Sequence, residues 1–143
     1  SPQRGYNNAT TPTAEYNVAK CPSCTAAMYA GPWAETLITT PLDTCGVYIF
    51  TGDPYFNILR GNNSIATTLV QSNLYWAVKG RTDLSVHSDT WYDAVAAYMV
   101  QDSSPQNLPL TSINVTVTSS GDTVIAPTGT PIRAALSWVD MQA

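Results

Sequence analysis

Between Gly46 and Val100 the chain is a succession of short β-branched and aromatic runs cut by turn-forming residues, and this passage most narrows the folds open to it. Val47-Tyr48-Ile49-Phe50-Thr51 is followed by Gly52-Asp53-Pro54, then by residues 55–60, and Gly61-Asn62-Asn63-Ser64 closes the passage. Gly-Asp and Gly-Asn steps between such runs are hairpin punctuation. Further runs at 65–71, 74–78, 84–87 and 93–101 continue the pattern. In 84–88 the alternation places Leu84 and Val86 on a core face, with Ser85 and His87 opposite. The alanines of 93–100 would suit a helix, but Val95, Ala97 and Met99 alternate with apolar neighbours, as in a strand buried between two layers.

Upstream, residues 26–30 tolerate a helix but meet Gly31-Pro32 at once, whereas 35–40 is β-branched and stops at Pro41. Downstream, 102–109 is a breaker cluster. Residues 113–118 and 123–126, separated by Ser119-Ser120-Gly121-Asp122, form a hairpin whose apolar side carries Ile113, Val115 and Val117. The end, 132–141, reads as a last strand or peripheral segment bearing Trp138. Short strands at regular spacing predict an all-β fold, a β-sandwich or jelly roll. Residues 1–20, rich in Pro, Asn and Thr, read as an extended N-terminal arm, and 21–143 as a single β-sandwich domain.

Composition excludes several roles. Only 11% of the 143 residues are charged, less than half the usual share of about 25%. A surface poor in Lys and Glu suits repeated protein contact, because less side-chain entropy is lost on ordering. The net charge is −4, and the six cations Arg4, Lys20, Arg60, Lys79, Arg81 and Arg133 are scattered, so nothing tracks a phosphate backbone and no nucleic acid is expected. No apolar run approaches the roughly 20 residues that span a bilayer, and no membrane partner is expected. The chain starts Ser1-Pro2, which fits removal of an initiator Met or of a leader and leaves localisation open.

The cysteines number three, Cys21, Cys24 and Cys45. Cys21-Pro22-Ser23-Cys24 has redox or metal spacing without a surrounding βαβ pattern. With His87, the single histidine, the three would make a Cys₃His zinc set; free thiols or one local disulfide are the alternatives. Three sequons begin at Asn8, Asn62 and Asn114. No cofactor is expected.

The runs Val47-Tyr48-Ile49-Phe50-Thr51-Gly52-Asp53, Arg60-Gly61-Asn62-Asn63-Ser64-Ile65-Ala66-Thr67-Thr68, Thr82-Asp83-Leu84-Ser85-Val86-His87 and Ala94-Val95-Ala96-Ala97-Tyr98 together resemble, in general character, the small β-sandwich proteins that decorate or cement the heads of tailed phages. The resemblance covers little more than a third of the chain and transfers no catalytic residue. It implies a structural virion protein that binds the major capsid protein or copies of itself, as a homo-oligomer, and stabilises the shell against internal pressure.

Catalysis has little to stand on. His87 with Ser85 or Ser88 and Asp83 or Asp89 is too local to converge as a triad, and Asp89 and Asp93 around Trp91-Tyr92 read as a polar loop rather than paired glycosidase carboxylates. We therefore expect no catalytic residues and no enzyme. The aromatics Tyr6, Tyr16, Tyr55, Trp91, Tyr92 and Trp138 are the expected interaction residues. Two other roles fit them: a carbohydrate-binding module using exposed rings, or an extracellular filament or surface-layer subunit whose arm is donated as a strand. Location would be the virion in the first case, and extracellular or at the cell surface in the others.

Overall fold

Strand pairing concentrates in the carboxy-terminal third. The computed structural model describes residues 10–11, 13–101 and 106–140. Among them the order is α1 (Tyr16–Lys20), α2 (Pro22–Tyr29), β1 (Ile38–Thr39), α3 (Leu42–Cys45), α4 (Gly52–Arg60), α5 (Ser64–Gly80), α6 (Tyr92–Gln101), β2 (Leu110–Val117), β3 (Thr123–Ile125) and β4 (Thr130–Ala135). The chain divides into two compact units, one built from the segments up to Val47 and from Tyr92 onward, the other from Tyr48–Trp91.

The first unit holds a four-stranded sheet in the order β1-β4-β2-β3. β2 pairs antiparallel with both β4 and β3, and β1 runs parallel to β4. The hairpin expected from 113–118 and 123–126 is present, with Val115 opposite Ile125 and Val117 opposite Thr123. Its period-2 pattern holds as well: Val115 is buried, Ile113 and Val117 are half-buried, and Thr116 is exposed. Val115, Ile132 and Ala134 form the core, packed by Tyr29, Leu37, Ile113 and Leu136. Gly121, in the turn, has φ +91, and a Cβ there would also strike the backbone of Ala19. Elsewhere in this unit α6 packs on α3, burying Val95, Met99 and Cys45.

The second unit is a helical pair, α4 and α5, followed by the segment 81–91. Asn63 caps α5, its Oδ1 accepting from Ala66 N at 2.9 Å.

These findings overturn the all-β expectation: the protein is a mixed α/β chain, with neither a β-sandwich nor a jelly roll. Residues 55–60, 65–71, 74–78 and 93–101, expected as strands, are helical. Gly52-Asp53-Pro54 is a helix start, where the missing N–H of Pro costs nothing, and Gly61-Asn62-Asn63-Ser64 is a helix cap. Thr67 and Thr68 fit inside α5 because their hydroxyls donate to the carbonyls of Asn63 and Ser64, four residues back. In α6 the buried Val95 and Met99 stand four apart, the helical repeat. Residues 84–87 make no strand; Thr51 and His87 share an isolated bridge, and Val86 is 58% exposed, not core. The expected extended arm contains α1, while residues 1–9 and 12 lie outside the described residues.

Gly129 approaches the middle of β2 so closely that a Cβ would fall inside the van der Waals envelope of the Val115 backbone. Gly129→Ala should therefore cost about 2 kcal/mol or more, read as a lower urea midpoint with an unchanged slope.

Candidate interaction surface

The interior of the 48–91 unit holds the polar side chains of Asn73 and Ser88 beside Tyr55, Ala66 and Ala77. Asn73 is buried, and its Oδ1 accepts from Asp89 N at 2.8 Å and from Trp91 Nε1 at 3.2 Å. Ser88, also buried, accepts from Phe50 N at 2.8 Å and donates to Asp89 O at 2.7 Å. Tyr55 donates its phenol to Leu84 O at 2.8 Å. Phe50 meets the edge of Trp91 at 4.9 Å.

The buried stripe of α5 is Ala66, Asn73 and Ala77, at i, i+7 and i+11, which share one helix face. It offers two methyls and an amide. The large apolar residues of the helix consequently point elsewhere, and Ile65, Leu74, Tyr75, Trp76 and Val78 are exposed, Val78 by 80%. A helix that is apolar on its buried and its outer face normally has cover on both. Across the described residues, seventeen large hydrophobics are exposed against eleven buried hydrophobics. Scattered exposed apolar residues are ordinary, but four within Leu74–Val78 make a patch.

The patch carries charge. Lys79 Nζ lies 4.6 Å from the Tyr75 ring centroid and 5.1 Å from that of Trp76, within cation–π range. The two rings meet edge to face, 5.7 Å apart at 83°. Beside them an open groove of about 420 Å³ is lined by Leu74, Ala77, Val78 and Leu84, with Arg81 and Asp83 among its walls. Arg81 caps α5 in the left-handed region, φ 58, where a Cβ is disfavoured. The Asp83 carboxylate accepts from Ser85 N at 2.9 Å, which holds it below the usual carboxylate range.

The residues singled out from sequence do not converge on this patch. Tyr6 lies outside the described residues. Tyr16 is 70% exposed on α1, with Lys20 Nζ 5.0 Å over its ring. Tyr92 is exposed at the start of α6. Tyr55 is 1% exposed and belongs to the interior, not to an interface. Trp91 and Trp138 are half-buried anchors: Trp91 is tied to Asn73, whereas Trp138 Nε1 donates to Thr44 O at 2.9 Å and its ring stacks on Tyr98 at 6.3 Å. Tyr75, Trp76 and Val78 are not grouped from sequence because 74–78 reads as a strand, and Lys79 and Arg81 read only as scattered cations. A helical reading begun at the Asn63 cap would have shown apolar residues all around α5.

The zinc set does not assemble. Cys21 and Cys24 form a disulfide, Cys45 is a buried free thiol, and His87 Nδ1 lies 2.7 Å from Ser88 O. Among the described residues no group of three or more His, Cys, Asp or Glu is placed to hold a metal ion. Ser88 Oγ is engaged with backbone on both sides and is not presented to a base. Burial pushes the Cys45 thiol and the Tyr29 phenol up, the latter with help from Glu15. Of the sequons, Asn62 is exposed, Asn114 Nδ2 donates to Pro127 O at 2.9 Å, and Asn8 lies outside the described residues. No protein-family description, curated protein or solved structure matches the chain.

Asn73→Ala would leave two part-buried donors without their acceptor, and a loss of about 1–3 kcal/mol in unfolding free energy is expected, with the indole fluorescence of Trp91 shifted red. The alkaline limb has a defined sign. The raised groups Tyr29 and Cys45 keep their protons in the native state while the unfolded chain releases them from about pH 9 upward. Their contribution is full below pH 9 and declines above it. Melting at pH 8 and pH 10.5 should show a drop that Cys45→Ala reduces.

Proposed function

We propose that this chain is a non-catalytic structural subunit, of the kind that decorates a virus shell or builds a surface lattice, joined to further copies of itself through the exposed C-terminal face of α5. The observation that carries it is the patch of Leu74, Tyr75, Trp76 and Val78, with the cations Lys79 and Arg81 beside it. Aromatic and aliphatic anchors with Arg nearby are the composition of binding hot spots.

Charge favours a second copy as the occupant. With Lys79 and Arg81 in the patch and Asp83 in the groove wall beside it, four cations remain on the rest of the chain against nine carboxylates, so another region of an identical chain supplies the complementary sign. Patch to non-patch contact is head-to-tail, the arrangement that builds rings or open arrays. The virion form of this reading draws on the low charge of the chain, since the β-sandwich likeness has lost its fold. Sugar stacking is less well served: the Tyr75 and Trp76 rings stand nearly perpendicular and Lys79 sits over both. Strand donation has short edges to work with, two residues in β1 and three in β3.

Light scattering over a concentration series should show oligomers. The double variant Trp76→Ser, Val78→Ser should weaken association by about 30-fold or more, equivalent to roughly 2 kcal/mol, with far-UV circular dichroism unchanged. Arg81→Gly should raise stability by up to about 1 kcal/mol by relieving the left-handed cap, while weakening association. A wild-type chain that stays monomeric at its highest soluble concentration would sink the self-assembly reading.

A further inference from the structure

The Cys21–Cys24 bridge is poorly placed as a staple and well placed for exchange. It joins residues three apart, so the loop it closes is of the size that restricts the unfolded chain least. Neither α1 nor α2 contributes a fully buried residue for it to hold in place. The two sulfurs also have different surroundings. Cys21 is the N-cap of the eight-residue α2, with Pro22 at the first helical position and no side chain capping the free N–H groups of the first turn. Cys21 is half-buried, whereas Cys24, one turn in, is exposed.

Ser23 Oγ lies 3.8 Å from Cys21 Sγ. Of the charged groups on the elements packed against α2, Glu15 acts on the helix at Tyr29, its last residue, at the opposite end from Cys21. The Glu15 carboxylate accepts from Asn17 N, Val18 N and Asn17 Nδ2, all within α1. Lys20 Nζ rests over Tyr16, and β2 carries no ionisable side chain.

We propose that Cys21–Cys24 is an exchangeable disulfide acting on thiols, in which Cys24 Sγ is the sulfur attacked and Cys21 Sγ the one that leaves. An incoming thiolate forms a new S–S bond to Cys24, and the electron pair of the broken Cys21–Cys24 bond passes to Cys21 Sγ. The helix N-terminus and the Ser23 hydroxyl stabilise that thiolate. A second thiolate, from the same dithiol or another monothiol, attacks the partner's sulfur in the mixed disulfide and releases Cys24 as thiolate. The protein pair is then reduced and two external thiols have been joined as a disulfide; the reverse sequence reoxidises the pair. Exposure selects the attacked sulfur, and the N-cap selects the leaving group. Cys45, buried and with its thiol pushed up, takes no part.

The test uses the whole native chain, incubated with reduced glutathione or separately with a thioredoxin-type dithiol protein, acid-quenched, alkylated with N-ethylmaleimide and read by intact mass and tandem fragmentation. Two adducts are expected, on Cys21 and Cys24, with Cys45 unlabelled. Opening by both reagents makes small thiols sufficient, whereas opening by the dithiol alone assigns a protein dithiol; each supports exchange. The single variants separate the roles. The lone Cys21 of Cys24→Ser should alkylate with iodoacetamide at pH 6.5 at least ~10-fold faster than the lone Cys24 of Cys21→Ser, if the helix N-terminus favours its thiolate as proposed. Circular dichroism of both variants should match wild type, and unfolding of the variants would be bypassed by the wild-type experiment. A bond that opens only in denaturant, or equal alkylation rates in the two folded variants, would overturn the proposal.

Discussion

A single acceptor, the side-chain oxygen of Asn73, fixes the helix on which the assembly reading rests. It collects the backbone N–H of Asp89 and the indole N–H of Trp91, and Ser88 and the Tyr55 phenol make further buried hydrogen bonds in the same unit. Hydrogen bonds are directional in a way that apolar contacts are not. A slide of α5 by one residue would break both bonds at Asn73 and leave buried polar groups unpaired, so its azimuth is set by chemistry and not by volume alone. The apolar residues excluded from that interior become the outer face.

The sheet-bearing unit works on the opposite principle. Its centre is β2, paired on both sides, and its core side chains are Val115, Ile132 and Ala134. The tolerances there are steric: Gly129 against the Val115 backbone, and Gly121 against Ala19. Both glycines lie in or beside turns that return the chain to β2, so the same residues that let it reverse also let it pack closely. Short strands at the two edges of the sheet leave little backbone unpaired, which limits edge-to-edge association.

Where the sequence was legible, one signal dominated. The 113–126 hairpin has a clean two-residue alternation and a Ser-Ser-Gly-Asp turn, and no competing helical period. α5 and α6 hid behind β-branched and apolar residues whose strand preference was overridden by context. In α5 the decisive information was the Asn63 cap together with Thr hydroxyls that bond backward along the helix. In α6 it was the spacing of Val95 and Met99, visible once burial is known. The same override by context acts on single aromatic residues. Tyr55, beside a supposed turn, sits on the inner face of a helix, and Trp91 and Trp138 use their indole N–H groups to tie segments together. Tyr75 and Trp76 owe their exposure to the small residues opposite them on α5, a property of the whole helix rather than of either position.

Lys79 gives the outer face of α5 a directional character. The ammonium rests over two rings, so a surface brought against Tyr75 and Trp76 must either offer it an oxygen or push the side chain aside. An entirely greasy surface can do neither without loss, so it is discriminated against despite matching the patch in hydrophobicity. On the assembly reading, the lysine thereby selects among apolar contacts, favouring a partner surface that brings an oxygen to the two rings.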